Sequence, residues 1–184
     1  MNQLKLISTL KSASSKSDLY EVIVNAPFST KDDRLEAAYL FLGIMVLLVV
    51  DKDKGTINRV ALSKTELAKN TTTVSVKNFK DIKIPVDYRA NIIARAIQTG
   101  QPHETTDWKD LFVPELTPKE ARVNQASGGI AYSAVYPLIG VGDGAALIFS
   151  YYQYRDEIGE SQHEFMKQYS ETVAKALRSK KTKL

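Results

Sequence analysis

Met45-Val-Leu-Leu-Val-Val-Asp-Lys-Asp-Lys-Gly-Thr-Ile-Asn-Arg-Val-Ala-Leu62 is the stretch from which the fold is read. Met45 to Val50 is an unbroken aliphatic run rich in β-branched residues, the pattern of a strand covered on both faces. Asp51 to Gly55 reads as a turn, and Thr56 to Leu62 as the returning strand of a hairpin. Upstream, the apolar character reaches back to Ala37, giving fourteen residues bounded by charges on both sides. That is short of the ~20 residues a spanning helix needs, so the stretch reads as a buried helix running into a buried strand, with no membrane span.

Working outward, Leu4, Leu6, Ile7 and Leu10 follow helical spacing until a serine-rich turn. Ser17 or Asp18 reads as the N-cap of a second helix, and Thr30 as that of a third. Residues 63–78 are polar and read as a connector. Phe79 to Val86 alternates apolar and polar and predicts a strand. Asp87 reads as the cap of a helix with stripe Ile92, Ile93, Ala96 and Ile97, stopped at Gly100. A short strand is expected over 101–106, then a long loop over 107–127 with a short helix after Thr117, where Pro118 suits the first helical position. Residues 130–138 and 145–152 read as a second hairpin across Gly140 to Gly144. The last helix, from about Glu160 to Arg178, carries Phe165, Met166, Tyr169, Val173, Ala176 and Leu177 on one stripe.

This order predicts one domain over residues 1–184, of α/β class in the α+β sense. The expected architecture is a central mixed, mainly antiparallel sheet of five to six strands, with the N- and C-terminal helices packed on one face. The basic tail 178–184 is expected to be disordered.

Composition narrows the chemistry. The chain has 184 residues, no cysteine and two histidines, His103 and His163. Disulfides, thiolate zinc sites and thiol catalysis are excluded, no metal site or cofactor is expected, and a cytoplasmic location fits. The net charge of +4 is terminal: residues 178–184 carry Arg178, Lys180, Lys181 and Lys183 and no acid, so residues 1–177 sum to zero. The first seventeen residues add Lys5, Lys11 and Lys16, leaving 18–177 at −3. Nucleic acid or an anionic surface, contacted through the two basic ends, is therefore an alternative partner for a body that is not itself basic.

Several stretches, in this order, resemble the GAF family. Asn91-Ile-Ile-Ala-Arg-Ala-Ile-Gln-Thr-Gly-Gln-Pro-His103, followed by Asp107, looks like that family's helix ending in a Thr-Gly-Gln-Pro-type turn. Ser133-Ala-Val-Tyr-Pro-Leu138, a glycine turn, Ala145-Ala-Leu-Ile-Phe-Ser150 and a long final helix are similar to the family's closing pattern. The resemblance covers about residues 4–178 and implies a sensory and dimerisation fold. Family members that are free methionine sulfoxide reductases, or that attach bilins, depend on cysteines, which this chain lacks. The family's cyclic-nucleotide signature is not recognisable either.

No catalytic constellation stands out. Gly140-Val-Gly-Asp-Gly144 has the glycine density of a phosphate-cradling loop, but it lacks the Lys-Ser/Thr pair and leads into a strand. The acidic run Asp156, Glu157, Glu160 and Glu164 is accounted for by dipole complementarity at a helix start. The resemblance implies instead a ligand pocket between the sheet and the loops over it, for which Arg89, His103, Trp108, Asn124, Tyr132 and Tyr136 are the candidates. It also implies a homodimer through the terminal helices, with Leu4, Ile7, Leu10, Tyr169, Val173 and Leu177 as candidate interface residues. The expected function is that of a non-catalytic sensor or interaction domain that binds a small molecule, dimerises, or both.

Overall fold

The computed structural model describes residues 3–180, with side chains from 6 to 179. Six strands appear among them: β1 (Leu42–Asp51), β2 (Thr56–Leu62), β3 (Lys83–Pro85), β4 (His103–Thr105), β5 (Tyr132–Pro137) and β6 (Ala145–Tyr151). They form one sheet in the order β3-β2-β1-β6-β5-β4, and all five pairings are antiparallel. Of the two central strands, β1 is the aliphatic run read from the sequence and β6 the returning strand of the second hairpin.

Alternation along these strands feeds two separate cores. Met45, Leu47, Leu147, Phe149, Tyr151, Tyr132 and Ala134 face one side. There they meet α1 (Gln3–Ser12), α2 (Lys16–Asn25) and α8 (Glu160–Lys180) through Leu6, Leu10, Leu19, Ile23, Met166, Tyr169 and Val173. The Tyr169 hydroxyl donates to the Ile23 carbonyl at 2.5 Å and ties the last helix to the second. Helix α3 (Lys31–Tyr39) leads into β1.

Ile44, Val46, Leu48, Ile148 and Val135 face the other side. They are covered by α4 (Glu66–Val74), α5 (Ile92–Thr99), α6 (Lys109–Phe112) and α7 (Pro118–Ser127). Between β1 and β2 the register slips: Leu47 pairs with Ala61 but Leu48 pairs with Arg59. Val60 is the extra residue of a β-bulge, so Ala61 joins the terminal-helix core while Arg59 turns to the opposite face.

Local chemistry explains the helix ends. Thr30 caps α3 as expected, accepting from the Asp33 amide at 3.1 Å. Thr117 and Glu120 form a capping box with Pro118 in the first turn of α7. Gly100 closes α5 in the left-handed conformation, φ +67°.

Other expectations are corrected. Ser15, not Ser17 or Asp18, caps α2, and Asn91, not Asp87, caps α5. The supposed connector 63–78 contains α4, capped by Thr65. The expected strand over 79–86 is a 3-10 turn at Phe79–Asp81 followed by the three residues of β3. Arg178 and Ser179, assigned to a disordered tail, are in the last turn of α8, and the Arg178 guanidinium donates to the Ile139 carbonyl. Residues 181–184 lie outside the described residues.

Gly144 enters β6 at φ +136°, and a Cβ there would lie 2.7 Å from Ile97 Cγ2 and 3.0 Å from Val50 Cγ2. Gly144→Ala is expected to cost about 2–4 kcal/mol, from backbone strain and overpacking together. A urea midpoint that falls with an unchanged slope is the expected reading, and an unchanged midpoint would refute it.

Candidate functional site

The face of the sheet turned away from the terminal helices is not fully filled. Between β1, β2 and β6 below and α4, the 3-10 turn, α6 and α7 above lies a small cavity of about 40 Å³, open at its mouth. Ile44, Val46 and Ile148 form its floor, while Leu62, Ile82 and Leu111 contribute further apolar wall. Thr71, Thr72, Ser75, Asn124 and Ser150 supply neutral polar groups.

One wall is cationic. The bulge that turns Arg59 to this face leaves the residue only 5% exposed. Its guanidinium lies 4.0 Å from the Phe112 ring centroid and 5.9 Å from that of Phe79. Nε and Nη2 are buried and have no hydrogen-bond partner, and among the described residues no carboxylate pairs with the group. Burial pushes its pKa down to about 9, so it remains charged at neutral pH.

The roof is pinned by polar bonds. Trp108 Nε1 donates to Ser133 Oγ at 2.9 Å, and Ser133 and Ser150 share a hydrogen bond of 2.8 Å beneath it. The Trp108 amide donates to Gln125 Oε1 at 2.9 Å, joining α6 to α7, and the indole stacks on Phe112 with centroids 5.3 Å apart. Asn124 Nδ2 donates to Ser75 Oγ at 3.1 Å and so fastens α7 to the end of α4. At the rim, the Asp107 carboxylate takes the Arg122 guanidinium at 2.7 Å and the Lys109 ammonium at 3.3 Å.

Of the six candidate ligand residues, the structure brings two together: Trp108 and Asn124 both line the cavity. Tyr132 and Tyr136 do share a face of β5, as their alternation implies, but it is the face under the terminal helices. Tyr132 packs on Tyr151, and Tyr136 packs edge-on against Phe149. Burial, then the nearby Glu104 carboxylate, holds the Tyr132 hydroxyl protonated far above its usual range. His103 pairs with Val135 at the β4 edge, outside the cavity, and burial followed by the Arg95 charge lowers its pKa. Arg89 is exposed in the turn after Asp87.

The 107–127 segment, expected as a long loop with a short helix after Thr117, carries that helix as α7 and a second short one, α6, before it. Arg59, Phe79 and Phe112 were missed. A signal for Arg59 was present, since it follows Ile57 by two residues on the apolar phase of its strand.

The dimer candidates fare similarly. Leu10, Tyr169 and Val173 are buried in the chain's own core, because α1 and α8 pack on the sheet, and they are not free to meet a partner. Ile7 and Leu177 are half-buried, and the side chain of Leu4 lies outside the described residues.

No protein-family model matches the chain, and no curated protein matches it. Solved structures do. The GAF domain of a phosphoenolpyruvate-protein phosphotransferase from Acinetobacter superposes with a TM-score of 0.63 at 7% identity, over 99% of this chain and 93% of that one. The GAF domain of the Coxiella burnetii phosphotransferase gives 0.62 at 13%, covering 100% and 96%. A free methionine-R-sulfoxide reductase from Neisseria meningitidis, in complex with its substrate, gives 0.58 at 11%, covering 99% and 89%. The fold of this chain is therefore that of GAF domains.

Asp107 provides a pH test of the roof. Burial works to raise its pKa, but the hydrogen bonds from Arg122 and Lys109 outweigh this and leave it below the ordinary carboxylate value. A carboxylate depressed in the folded state contributes stability that is complete above its unfolded pKa and lost as pH falls through the folded one. Asp107→Asn is expected to be less stable than wild type near pH 7, with the gap closing as the medium is acidified below about pH 4. A gap independent of pH would contradict this origin.

Proposed function

We propose that this chain is a non-catalytic sensory domain that takes a small molecule into the cavity beneath α4, α6 and α7. The observation that carries the reading is the cavity itself: closed over by three helices, apolar in most of its lining, and furnished with a few placed polar groups. The two cores share their strands. Ile44, Val46 and Ile148 touch the cavity, while their neighbours Met45, Leu47 and Phe149 hold the terminal helices. An occupant that shifts β1 or β6 therefore acts directly on the packing of α1, α2 and α8, which supplies a route for signal output. The GAF domains among the similar structures support the sensory class.

The same lining supports a non-catalytic role. Its hydroxyls, on Thr71, Thr72, Ser75 and Ser150, have no histidine or carboxylate beside them in the cavity, among the described residues, to serve as a general base. A homodimer through the outer sides of the terminal helices belongs to this reading, with Ile7 and Leu177 as the accessible candidates. The alternative of a basic adaptor is weakened, since Arg178 is engaged by the Ile139 carbonyl.

Native and denatured mass spectra of protein purified from cells test the proposal. A non-covalent adduct lost on denaturation is expected, absent from Leu62→Phe, which fills the cavity from a half-buried wall position. The same spectra count subunits. A bare mass together with no thermal shift from a metabolite panel would refute ligand binding, and turnover of any panel member would refute the non-catalytic role.

A further inference from the structure

We infer that the cavity recognises a small organic carboxylate through the unpartnered Nε and Nη2 edge of the Arg59 guanidinium, an inference that rests on the cavity being a ligand site. Nε and Nη2 lie along one edge of the planar group, and their N–H bonds run parallel. That is the fork a carboxylate meets with its two oxygens. In this chain both donors lack a partner and neither reaches solvent. The Phe112 ring at 4.0 Å covers a face of the guanidinium and leaves this edge as the way to satisfy it. Contact with an aromatic face compensates only part of the cost of a desolvated charge, so an anion is the missing partner.

The surroundings select the kind of anion. Among the described residues Arg59 is the only charged one in the lining, so these residues neutralise one negative charge and offer no second cation for a phosphate dianion. Ile82, Leu111 and Ile148 suit a short apolar body. Thr72, Ser75 and Asn124 add neutral polar groups to the same lining, with Ser75 already accepting from Asn124 and donating to the Lys77 carbonyl.

Thermal shift and calorimetry with matched pairs test this. Butyrate, isovalerate, benzoate and phenylacetate are each compared with their primary amides, beside phenyl phosphate and inorganic phosphate. At least one carboxylate is expected to bind saturably, with its amide weaker by about 100-fold, as for loss of a charged bidentate pair. Arg59→Met retains the packing stem, and it is expected to abolish carboxylate binding while leaving the empty protein as stable as wild type or more so.

Equal binding of an amide and its acid would overturn the carboxylate inference and leave the cavity reading intact. Preference for phenyl phosphate would overturn it in favour of a phosphate anion. Failure of every carboxylate to bind would also overturn it. In that event a native adduct of another chemistry would preserve the broader reading, and a bare native mass would end both. The acid-against-amide comparison uses wild-type protein, so it decides even if Arg59→Met does not fold.

Discussion

The antiparallel pairing of β1 with β6 is the constraint on which the rest of this molecule depends. Both strands are aliphatic on both faces, so neither face can be left to water, and a layer of helices is required on each side. One layer is made by the two ends of the chain, which meet where Tyr169 reaches the Ile23 carbonyl. The other is assembled from the middle of the chain, from shorter helices held by side-chain hydrogen bonds such as Trp108 to Ser133 and Asn124 to Ser75. A long helix packs its stripe evenly, whereas four short ones meeting at their ends leave a gap. The cavity lies under that second layer.

Which parts of this were legible follows from what periodicity can carry. Continuous aliphatic runs and glycine turns identified both hairpins, and the caps at Thr30 and Gly100 were readable because their chemistry is local. Helix α4 was not, since Thr71-Thr-Thr-Val74 disfavours helix intrinsically, and the Thr65 cap together with burial of Ala68 and Thr71 holds it. Tyr132 and Tyr136 show a further limit. Alternation says that two residues share a face, but not which layer will cover it. Arg59 adds another: a period of two places Ile57, Arg59 and Ala61 together, and the bulge at Val60 separates Ala61 from the other two. A bulge has no reliable signature in a single strand of sequence.

Arg59 is also where local and global preferences conflict most openly. A charged residue on the apolar side of a strand, stacked on phenylalanine and without a carboxylate, lowers the stability of the empty fold. Such a conflict is expected at a functional site, where a group kept unsatisfied in the free protein is satisfied by what it binds. The chain thereby joins a scaffold common to GAF domains with a polar feature set by its own sequence.

The exchange of the Arg59 Nε proton with water, followed by nitrogen-edited NMR on unliganded protein, tests this account most directly. Slow exchange, far below that of the exposed Arg34 and Arg89, is expected of a charged guanidinium enclosed in the cavity wall. Exchange as fast as those two would place the group in water and contradict the account.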